Sequence, residues 1–299
     1  MFVAHVHAVK LALAHGTGDN AAQFEEDVAV ARVLAMSSWV SAGHVGLSAM
    51  APVLQSLGHE IIQLPTVMFS NHTGWSAVAG RANSPEQLTE MLDAISANGW
   101  LVGIDAFLGG YMPSAHHVEV ARQAIGQLRD QSPAARIVCD PVLGDDPNGL
   151  YVACEAAEAV RDRFVPLADV LTPNRFELTW LTGRSIDTID DAKLAARTLA
   201  EQRPGRRVLV TSPPISGEET GVIEVLADEA RLYRTRRHKL RPNGAGDVFS
   251  ALIGAGLSTG AALGHLQALI DASIGAPHLA IADGVSAWRD AVPVPYENM

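Results

Sequence analysis

The run from Asn243 to Asp247, NGAGD, joins two glycines to a carboxylate and is the segment of this chain best suited to chemistry on an anion. Glycines on both sides of Ala245 let the backbone turn sharply and present its N–H groups to a ligand. The apolar stretch that follows predicts a helix, so these amides would lie at a helix N-terminus, where the peptide dipoles favour phosphate. Asp247 would then be placed to accept a proton from an attacking hydroxyl. The alternative is a glycine-rich turn whose aspartate caps a helix.

The elements that must position this segment follow an α/β pattern. From Val28 onward, short apolar runs alternate with longer amphipathic stretches, which predicts a mostly parallel sheet covered by helices. Between Gly217 and Arg237 the pattern changes to alternation around an acidic turn, which predicts a β-hairpin. We predict strands at 28–36, 59–65, 99–108, 135–140, 168–173 and 206–212, and helices at 47–58, 85–98, 190–202, 261–282 and directly after NGAGD.

Polar side chains come directly after most of the predicted strands, where the ligands of a parallel sheet bind. They are Ser37 and Ser38 after the first strand, Asp140, Asp145 and Asp146 after the fourth, Asn174 and Glu177 after the fifth, and Thr211 and Ser212 after the sixth. The aspartates can hold the hydration shell of Mg²⁺, and Glu177 could orient a metal-bound water. Structural alternatives stay open, because acidic turns are common and Thr172 and Glu177 could simply stabilise the start of a helix.

Two further segments have both a functional and a structural interpretation. The segment 66–75, TVMFSNHTGW, could cover an aromatic substrate, with Thr73 bonding to it, or could be an ordinary surface turn. The basic run 235–241 could compensate a polyphosphate or form a solvated face.

The composition indicates one large globular domain that acts on small molecules. The 299 residues are 48% hydrophobic and carry a formal net charge of −11, which allows a large core and argues against nucleic-acid or membrane partners. Cys139 and Cys154 form no disulfide framework, so a reducing, cytoplasmic location is expected. No apolar run reaches the roughly 18 to 20 residues that span a bilayer. We predict an N-terminal extension of uncertain order at 1–27, a single domain at 28–290 and a C-terminal tail at 291–299.

Seven segments together resemble the pyridoxal kinases of the ribokinase-like superfamily, over about residues 30 to 285. They are SSWVSAGHVG (37–46), LPTVMFSNHTGW (64–75), GGYMPS (109–114), VCDPVLGDD (138–146), LTPNRFEL (171–178), VLVTS (208–212) and NGAGD (243–247). NGAGD marks the superfamily, whereas SNHTG combined with CDPVLGD and TPNRFE is much more specific. The resemblance implies a ribokinase-like three-layer α/β/α fold with a central, mostly parallel sheet and a small β-hairpin element.

The resemblance also implies an activity, the transfer of the ATP γ-phosphoryl group to the 5′-hydroxymethyl group of pyridoxal, which gives pyridoxal 5′-phosphate in vitamin B6 salvage. By position, Asp247 is the catalytic base, and the backbone of Gly244, Ala245 and Gly246 is the anion hole. The implied substrate contacts are Ser38, Thr73, Gly74, Tyr111 and Asp247, the ATP contacts are Asp140, Thr172, Glu177 and Thr211, and the Mg²⁺ contacts are Asp140, Asp145 and Glu177. A homodimer is expected from the family, and a monovalent-cation requirement stays open.

Three positions depart from the family pattern. Trp39 and Leu47 stand where many relatives have His and Asn, which leaves the preference among pyridoxal, pyridoxamine and pyridoxine open. Thr211 stands where some relatives have Lys, so a phosphate charge would need another partner, for which the candidates are Arg236, Arg237 and Lys239. Two rival functions remain: a ribokinase-like kinase of another hydroxymethyl compound, such as hydroxymethylpyrimidine or a sugar, and a noncatalytic carrier of pyridoxal phosphate.

Overall fold

The computed structural model describes residues 30–239 and 243–299, and these parts of the chain form a ten-stranded sheet and a small separate hairpin. The strands are β1 Arg32–Val40, β2 Glu60–Phe69, β3 Gly80–Ala82, β4 Ala106–Gly109, β5 Arg136–Cys139, β6 Gly144–Asp145, β7 Gly149–Leu150, β8 Val170–Leu171, β9 Arg207–Thr211, β10 Glu219–Val225, β11 Ala230–Arg236 and β12 Tyr296–Asn298. The large sheet has the order β12-β11-β10-β9-β8-β5-β4-β1-β2-β3, and β6 pairs with β7. Strands β2, β1, β4, β5, β8 and β9 are parallel, and the strands at both edges are antiparallel.

Strand β1 occupies the interior of the sheet because its residues are apolar on both faces. Leu34 and Met36 are buried in one core, and Val33 and Ala35 are buried in the other. Such burial on both faces is typical of parallel sheets. β1 pairs with β2 on one side and with β4 on the other, so the strand order reverses here. The carboxyl end of β1 therefore lies at the switch point where ligands bind in open α/β sheets.

Helices cover both faces of the sheet and complete three layers, each packed on its own apolar core. One face carries α2 Pro85–Ala97, α3 Ala115–Gln131, α4 Cys154–Ala159, α5 Arg175–Thr182 and α6 Ile189–Ala200, and the other carries α1 Leu47–Ser56, α7 Ala245–Gly254, α8 Thr259–Ala272 and α9 Val285–Trp288. At the start of α2, the Ser84 hydroxyl accepts the N–H of Gln87 at 3.2 Å and Pro85 takes the first helical position, as the sequence predicts.

The last three strands of the chain, β10, β11 and β12, lie at one edge of the sheet. The predicted hairpin is present as antiparallel β10 and β11, and β12, within the segment 291–299, pairs with β11. Just before β12 the chain lies along α8, where the N–H of Val294 donates to the Gly260 carbonyl at 2.9 Å. A side chain at Gly260 or Gly264 would collide with the backbone of this segment. The segment predicted as a tail therefore supplies an edge strand.

Two predicted strand boundaries are wrong. The first strand starts at Arg32 and continues through Ser37 and Ser38 to Val40, so both serines lie within the strand rather than after it. The predicted strand 99–108 is confined to Ala106–Gly109, because the preceding residues turn at Gly99 and Gly103, whose φ angles are 75° and 74°.

Two other predicted ranges also need correction. The predicted helix 261–282 ends at Ala272, where the Ser273 hydroxyl donates to the Leu269 carbonyl and the chain turns at Gly275 with a φ of 83°. The predicted loop 66–75 begins only after Phe69, because its first four residues belong to β2.

The predicted N-terminal extension, residues 1–27, lies outside the described residues, as does the part of the basic run at 240 and 241. Within 30–239 and 243–299, no helix is both long enough and apolar enough to cross a membrane.

Candidate active site

A cleft of about 1420 Å³ opens along the carboxyl ends of the parallel strands. It brings together the thirteen residues to which the family resemblance gives a role, although these residues come from seven separate segments. The predicted residues that line it are Ser38, Thr73, Gly74, Tyr111, Asp140, Asp145, Thr172, Glu177, Thr211, Gly244, Ala245, Gly246 and Asp247.

The N-terminus of α7 forms one wall of the cleft. Gly244 precedes the helix with a φ of 97° and packs directly on the carbonyl of His44, so neither the backbone angle nor the space admits a side chain. The first N–H groups of the helix lack intrahelical partners and point to where an anion can bind. The predicted phosphate cradle therefore has the required local structure.

Asp247 is the third residue of α7 and faces the cleft. Burial raises the pKa of Asp247 to about 6, while a hydrogen bond from the Gly46 N–H opposes this shift by favouring the ionised form. Gly46 has a φ of 54° and packs against the backbone and hydroxyl of Ser38. Gly46 therefore lies between the carboxylate of Asp247 and the end of β1.

Ser38, Thr73, Gly74 and Tyr111 surround the end of the cleft near β1 and β2. The Tyr111 backbone is fixed by hydroxyls of both strands, since its N–H donates to Ser37 Oγ at 3.1 Å and its carbonyl accepts from Thr66 Oγ1 at 2.8 Å. Burial raises the pKa of the Tyr111 hydroxyl, which therefore stays a neutral hydrogen-bonding group.

The two positions that depart from the family pattern on this side do not face the cleft. Leu47 is fully buried in the core beneath α1, and Trp39 packs against the same core. This chain therefore has an apolar packing residue at each of the two positions where many relatives have a polar one.

Asp140 follows β5 and is buried at the floor of the cleft. Burial and the nearby charge of Asp247 raise the pKa of Asp140, whereas hydroxyl hydrogen bonds oppose this shift. The Ser250 hydroxyl donates to Asp140, and its oxygen lies 3.1 Å from Thr172 Oγ1. Ser250 was not among the predicted site residues, although its spacing of three residues from Asp247 on a helix indicates that the two share a face.

Glu177 is buried at the third position of α5, where it holds two backbone segments together. Its carboxylate accepts the N–H of Asn174 and the N–H of Leu143, each at 2.9 Å. The Asn174 side chain accepts the Glu177 N–H in return, so Asn174, and not Thr172 as the sequence suggested, caps this helix. Burial and the charge of Asp140 raise the pKa of Glu177, while these amide donors oppose the rise.

Comparison with known proteins identifies the family. A family model described as phosphomethylpyrimidine kinase matches residues 53–275. The pyridoxal kinase PdxY of Deinococcus radiodurans is 40% identical over 255 residues, which cover 80% of this chain and 86% of the relative. The PdxY of Granulibacter bethesdensis is 39% identical over 226 residues, covering 74% and 79%. Pyridoxal kinase from Leishmania donovani, solved in complex with ADP and pyridoxamine, superposes with a TM-score of 0.83 at 27% identity, covering 90% of this chain and 99% of that chain.

The chain belongs to the pyridoxal kinase family. The predicted ribokinase-like α/β fold and the predicted ATP-dependent kinase are confirmed by these relatives.

As in other phosphoryl-transfer enzymes, a magnesium ion in a pyridoxal kinase needs few protein ligands, because the substrate phosphates supply the rest. Within the described residues, no group of three or more His, Cys, Asp or Glu side chains is placed to hold a metal ion. Asp140 fits a partial site, since its buried carboxylate lies near a second negative charge that a cation would neutralise. Glu177 fits a supporting position better, because its two oxygens each accept a backbone N–H.

Two residues that line the cleft have left-handed backbone angles. Val142, two residues after Asp140, has a φ of 46°, and Ser212, next to Thr211, has a φ of 50°. Such a conformation costs on the order of 1–3 kcal/mol for residues other than glycine. At Val142 this turn directs the following N–H, that of Leu143, toward Glu177.

The three basic residues proposed as phosphate contacts differ in their position relative to the cleft. Arg236 and Arg237 line the cleft, and Lys239 does not. The Arg237 guanidinium already donates to the carbonyls of Glu219 and Ile215, at 3.0 Å and 3.1 Å. Both arginines are exposed at this edge, and because the Arg237 guanidinium is already bonded to backbone carbonyls, Arg236 is the better candidate for a phosphate contact.

Proposed function

We propose that this chain transfers the γ-phosphoryl group of ATP to the 5′-hydroxymethyl group of pyridoxal and so forms pyridoxal 5′-phosphate. The observation that carries this proposal is the position of Asp247. Its carboxylate lies at the anion-binding end of α7 and near the N–H of Gly46, and Gly46 packs on Ser38 at the other end of the site. Base, acceptor pocket and phosphate cradle are thus adjacent.

Asp247 acts as the base on the hydroxymethyl group. An alcohol has a pKa far above that of a carboxylic acid, so the proton moves late, when the oxygen is already bonding to phosphorus. The backbone N–H groups of Gly244, Ala245 and Gly246 stabilise the charge that develops on the transferred group. At pH 7 to 8 Asp247 is mostly ionised, since its pKa is raised only to about 6.

Ser38, Thr73, Gly74 and Tyr111 bind pyridoxal at the β1 end of the cleft. Ser38 and Thr73 offer hydroxyls to the polar substituents of the pyridine ring, and Tyr111 offers an aromatic ring to its face. This arrangement is supported by their shared position on the cleft wall beside Gly46 and Asp247.

Asp140, Thr172, Glu177 and Thr211 bind the nucleotide and its cation at the ends of β5, β8 and β9. A Mg²⁺ ion bound with ATP would supply positive charge that offsets the negative charge of the phosphates. Asp140 would hold this ion, Asp145 lies within the same cleft, and Glu177 supports both through the turn that ends at Leu143.

The assay of purified protein with MgATP and a panel of acceptors tests the proposal. Formation of pyridoxal 5′-phosphate, read by its absorbance and by mass, is the expected result, with Asp247→Ala losing turnover but still binding pyridoxal. Turnover of hydroxymethylpyrimidine or a sugar alcohol with no pyridoxal product would contradict it, and the family model's description makes the pyrimidine the acceptor to include first. Tight binding of pyridoxal phosphate without turnover would indicate a carrier.

The family resemblance further supports a homodimer in the cytoplasm. Light scattering coupled to size-exclusion chromatography measures the mass directly, and a value of twice the 31.6 kDa chain is expected.

A further inference from the structure

The loop between β2 and β3 carries Thr73 and Gly74, and one side chain links it to the NGAGD segment. His72 is half-buried and lines the cleft together with Asn243. Its Nδ1 atom accepts the N–H of Gly74 at 3.1 Å and lies 3.3 Å from the Asn243 Nδ2 amide, which is also a donor. One imidazole nitrogen therefore joins segments that are 171 residues apart in the chain.

This link requires a neutral ring with its hydrogen on Nε2, because Nδ1 must present a lone pair to both donors. Burial lowers the pKa of His72, which keeps the ring neutral near pH 7. Among the described residues that line the small cavity beside His72, the other ionisable side chains are His44 and His278, whose rings lie 6.4 Å apart between centroids, so no carboxylate there favours the charged form.

The other hydrogen bonds near the tip of the loop join residues of the loop to one another and do not reach the NGAGD segment. The Asn71 side chain donates to the Ala77 carbonyl at 3.0 Å, and the Trp75 N–H donates to the His72 carbonyl at 3.2 Å. The Trp75 ring lies 6.3 Å from His278, but Trp75 keeps 53% of its surface exposed. The Thr73 and Gly74 residues are themselves exposed. Few apolar contacts therefore fix this part of the loop, and the polar link through His72 has a large share in its position.

We propose that His72 is a positioning residue, which sets the acceptor-binding residues Thr73 and Gly74 at a fixed distance from the anion cradle and Asp247. The inference rests on the proposed function, since it deepens the description of the same site. His72 acts through the backbone of Gly74 and through Asn243, so its loss weakens acceptor binding and alignment and leaves the nucleotide end of the cleft intact.

Three variants separate this role from simple packing. His72→Phe keeps a ring of similar size and removes the acceptor. His72→Asn is the matched control, because an asparagine oxygen at this position can accept the N–H two residues on in an Asx-turn. Asn243→Ala removes the donor on the opposite side and leaves the loop sequence unchanged.

Loss of one such hydrogen bond corresponds to roughly a 10-fold change in an equilibrium constant. We expect His72→Phe and Asn243→Ala each to raise the pyridoxal KM about 10-fold, with the ATP KM changed by less than about 2-fold, and His72→Asn to restore most of the loss. The double variant should be no worse than the poorer single variant, because both remove the same link.

Amide hydrogen exchange of the peptide that contains Gly74 tests the link without substrate, so it stays decisive if wild-type protein fails to phosphorylate pyridoxal and the proposed function falls. Faster exchange in His72→Phe, reversed in His72→Asn, supports the proposal. Unchanged exchange and unchanged pyridoxal KM in His72→Phe would overturn it. So would equal losses in the ATP and pyridoxal KM values, or failure of His72→Asn to restore either readout.

Discussion

Asp247 and Glu177 occupy the same position, the third residue of a helix, and yet they face different tasks. The residue that precedes each helix makes the difference. Asn174 caps α5 with its side chain and draws Glu177 back into a reciprocal capping box. Gly244 has no side chain with which to cap α7, so Asp247 is not drawn into a capping box and faces the cleft near the N–H of Gly46. A glycine before the helix thus leaves both the amides and the acid available for chemistry.

Replacing Asp247 is the most direct test of the difference between a catalytic Asp247 and a structural Glu177. Asp247→Asn should lower kcat about 10²- to 10⁴-fold, because the base is lost while the shape of the side chain is kept. Pyridoxal binding, measured by calorimetry, should remain. Activity close to that of wild type would mean that Asp247, like Glu177, serves structure.

Replacing Glu177 should lower stability more than it lowers turnover. Glu177→Ala leaves the buried N–H groups of Leu143 and Asn174 without an acceptor, and we expect a loss of about 2–4 kcal/mol in unfolding free energy. Its effect on kcat should be smaller than that of Asp247→Asn.

Asp191 provides a matched control for Glu177, since it occupies the third position of α6 in an exposed capping box with Thr188. Asp191→Ala should cost about 0.5–1 kcal/mol in unfolding free energy, with turnover unchanged. Denaturant unfolding measures both losses. Equal losses at Glu177 and Asp191 would show that the burial of Glu177 adds nothing to its contribution to stability.

The pH dependence of stability and of activity should differ in sign at Asp247. Because its pKa is raised from 3.8 to about 6, the protonated form is favoured in the folded state, and stability falls as pH rises through this window. Asp247→Asn should therefore be more stable than wild type at pH 8 by about 1–3 kcal/mol, and the gain should vanish near pH 4. Wild-type kcat/KM should instead fall below about pH 6, as the base becomes protonated. A stability difference that does not change with pH would contradict this account.

Ser250→Ala should have a much smaller kinetic effect than Asp247→Asn, and it should distinguish the two ends of the cleft. Removing the hydroxyl that donates to Asp140 disfavours the ionised carboxylate, so the MgATP KM should rise about 3- to 10-fold. The pyridoxal KM should stay constant. Steady-state kinetics with each substrate varied in turn measures both KM values. A change in the pyridoxal KM alone would contradict the assignment of Asp140 to the nucleotide end of the cleft.

The fold could be predicted from the sequence where local signals agree. The alternating pattern of β10 and β11 and the Ser84–Pro85 helix start both appear in the structure as predicted. The errors fall where tertiary contacts override an apolar run. The stretch 99–105 is as apolar as a strand but turns at two glycines, and Ser37 and Ser38 continue β1 because β2 pairs with them.

The site was harder to predict than the fold. The residue types at the strand ends indicated which segments meet, but not how each side chain is used. Ser250 lies inside an apolar helix, so only its spacing from Asp247 marks it, and the saturation of Glu177 by backbone N–H groups depends on the left-handed turn at Val142. Such backbone geometry has no signature in one sequence.

The strand order has a consequence for how the chain acquires activity during synthesis. From β1 outward to one edge, the strands follow one another in chain order, β4, β5, β8, β9, β10, β11 and β12, so each new strand leaving the ribosome meets an edge that already exists. The helix α7 comes after β11 and must return to pack on α1, beside the first strand. A chain stalled just after β11 would have assembled most of its sheet and the floor of its cleft, but it would still lack Asp247.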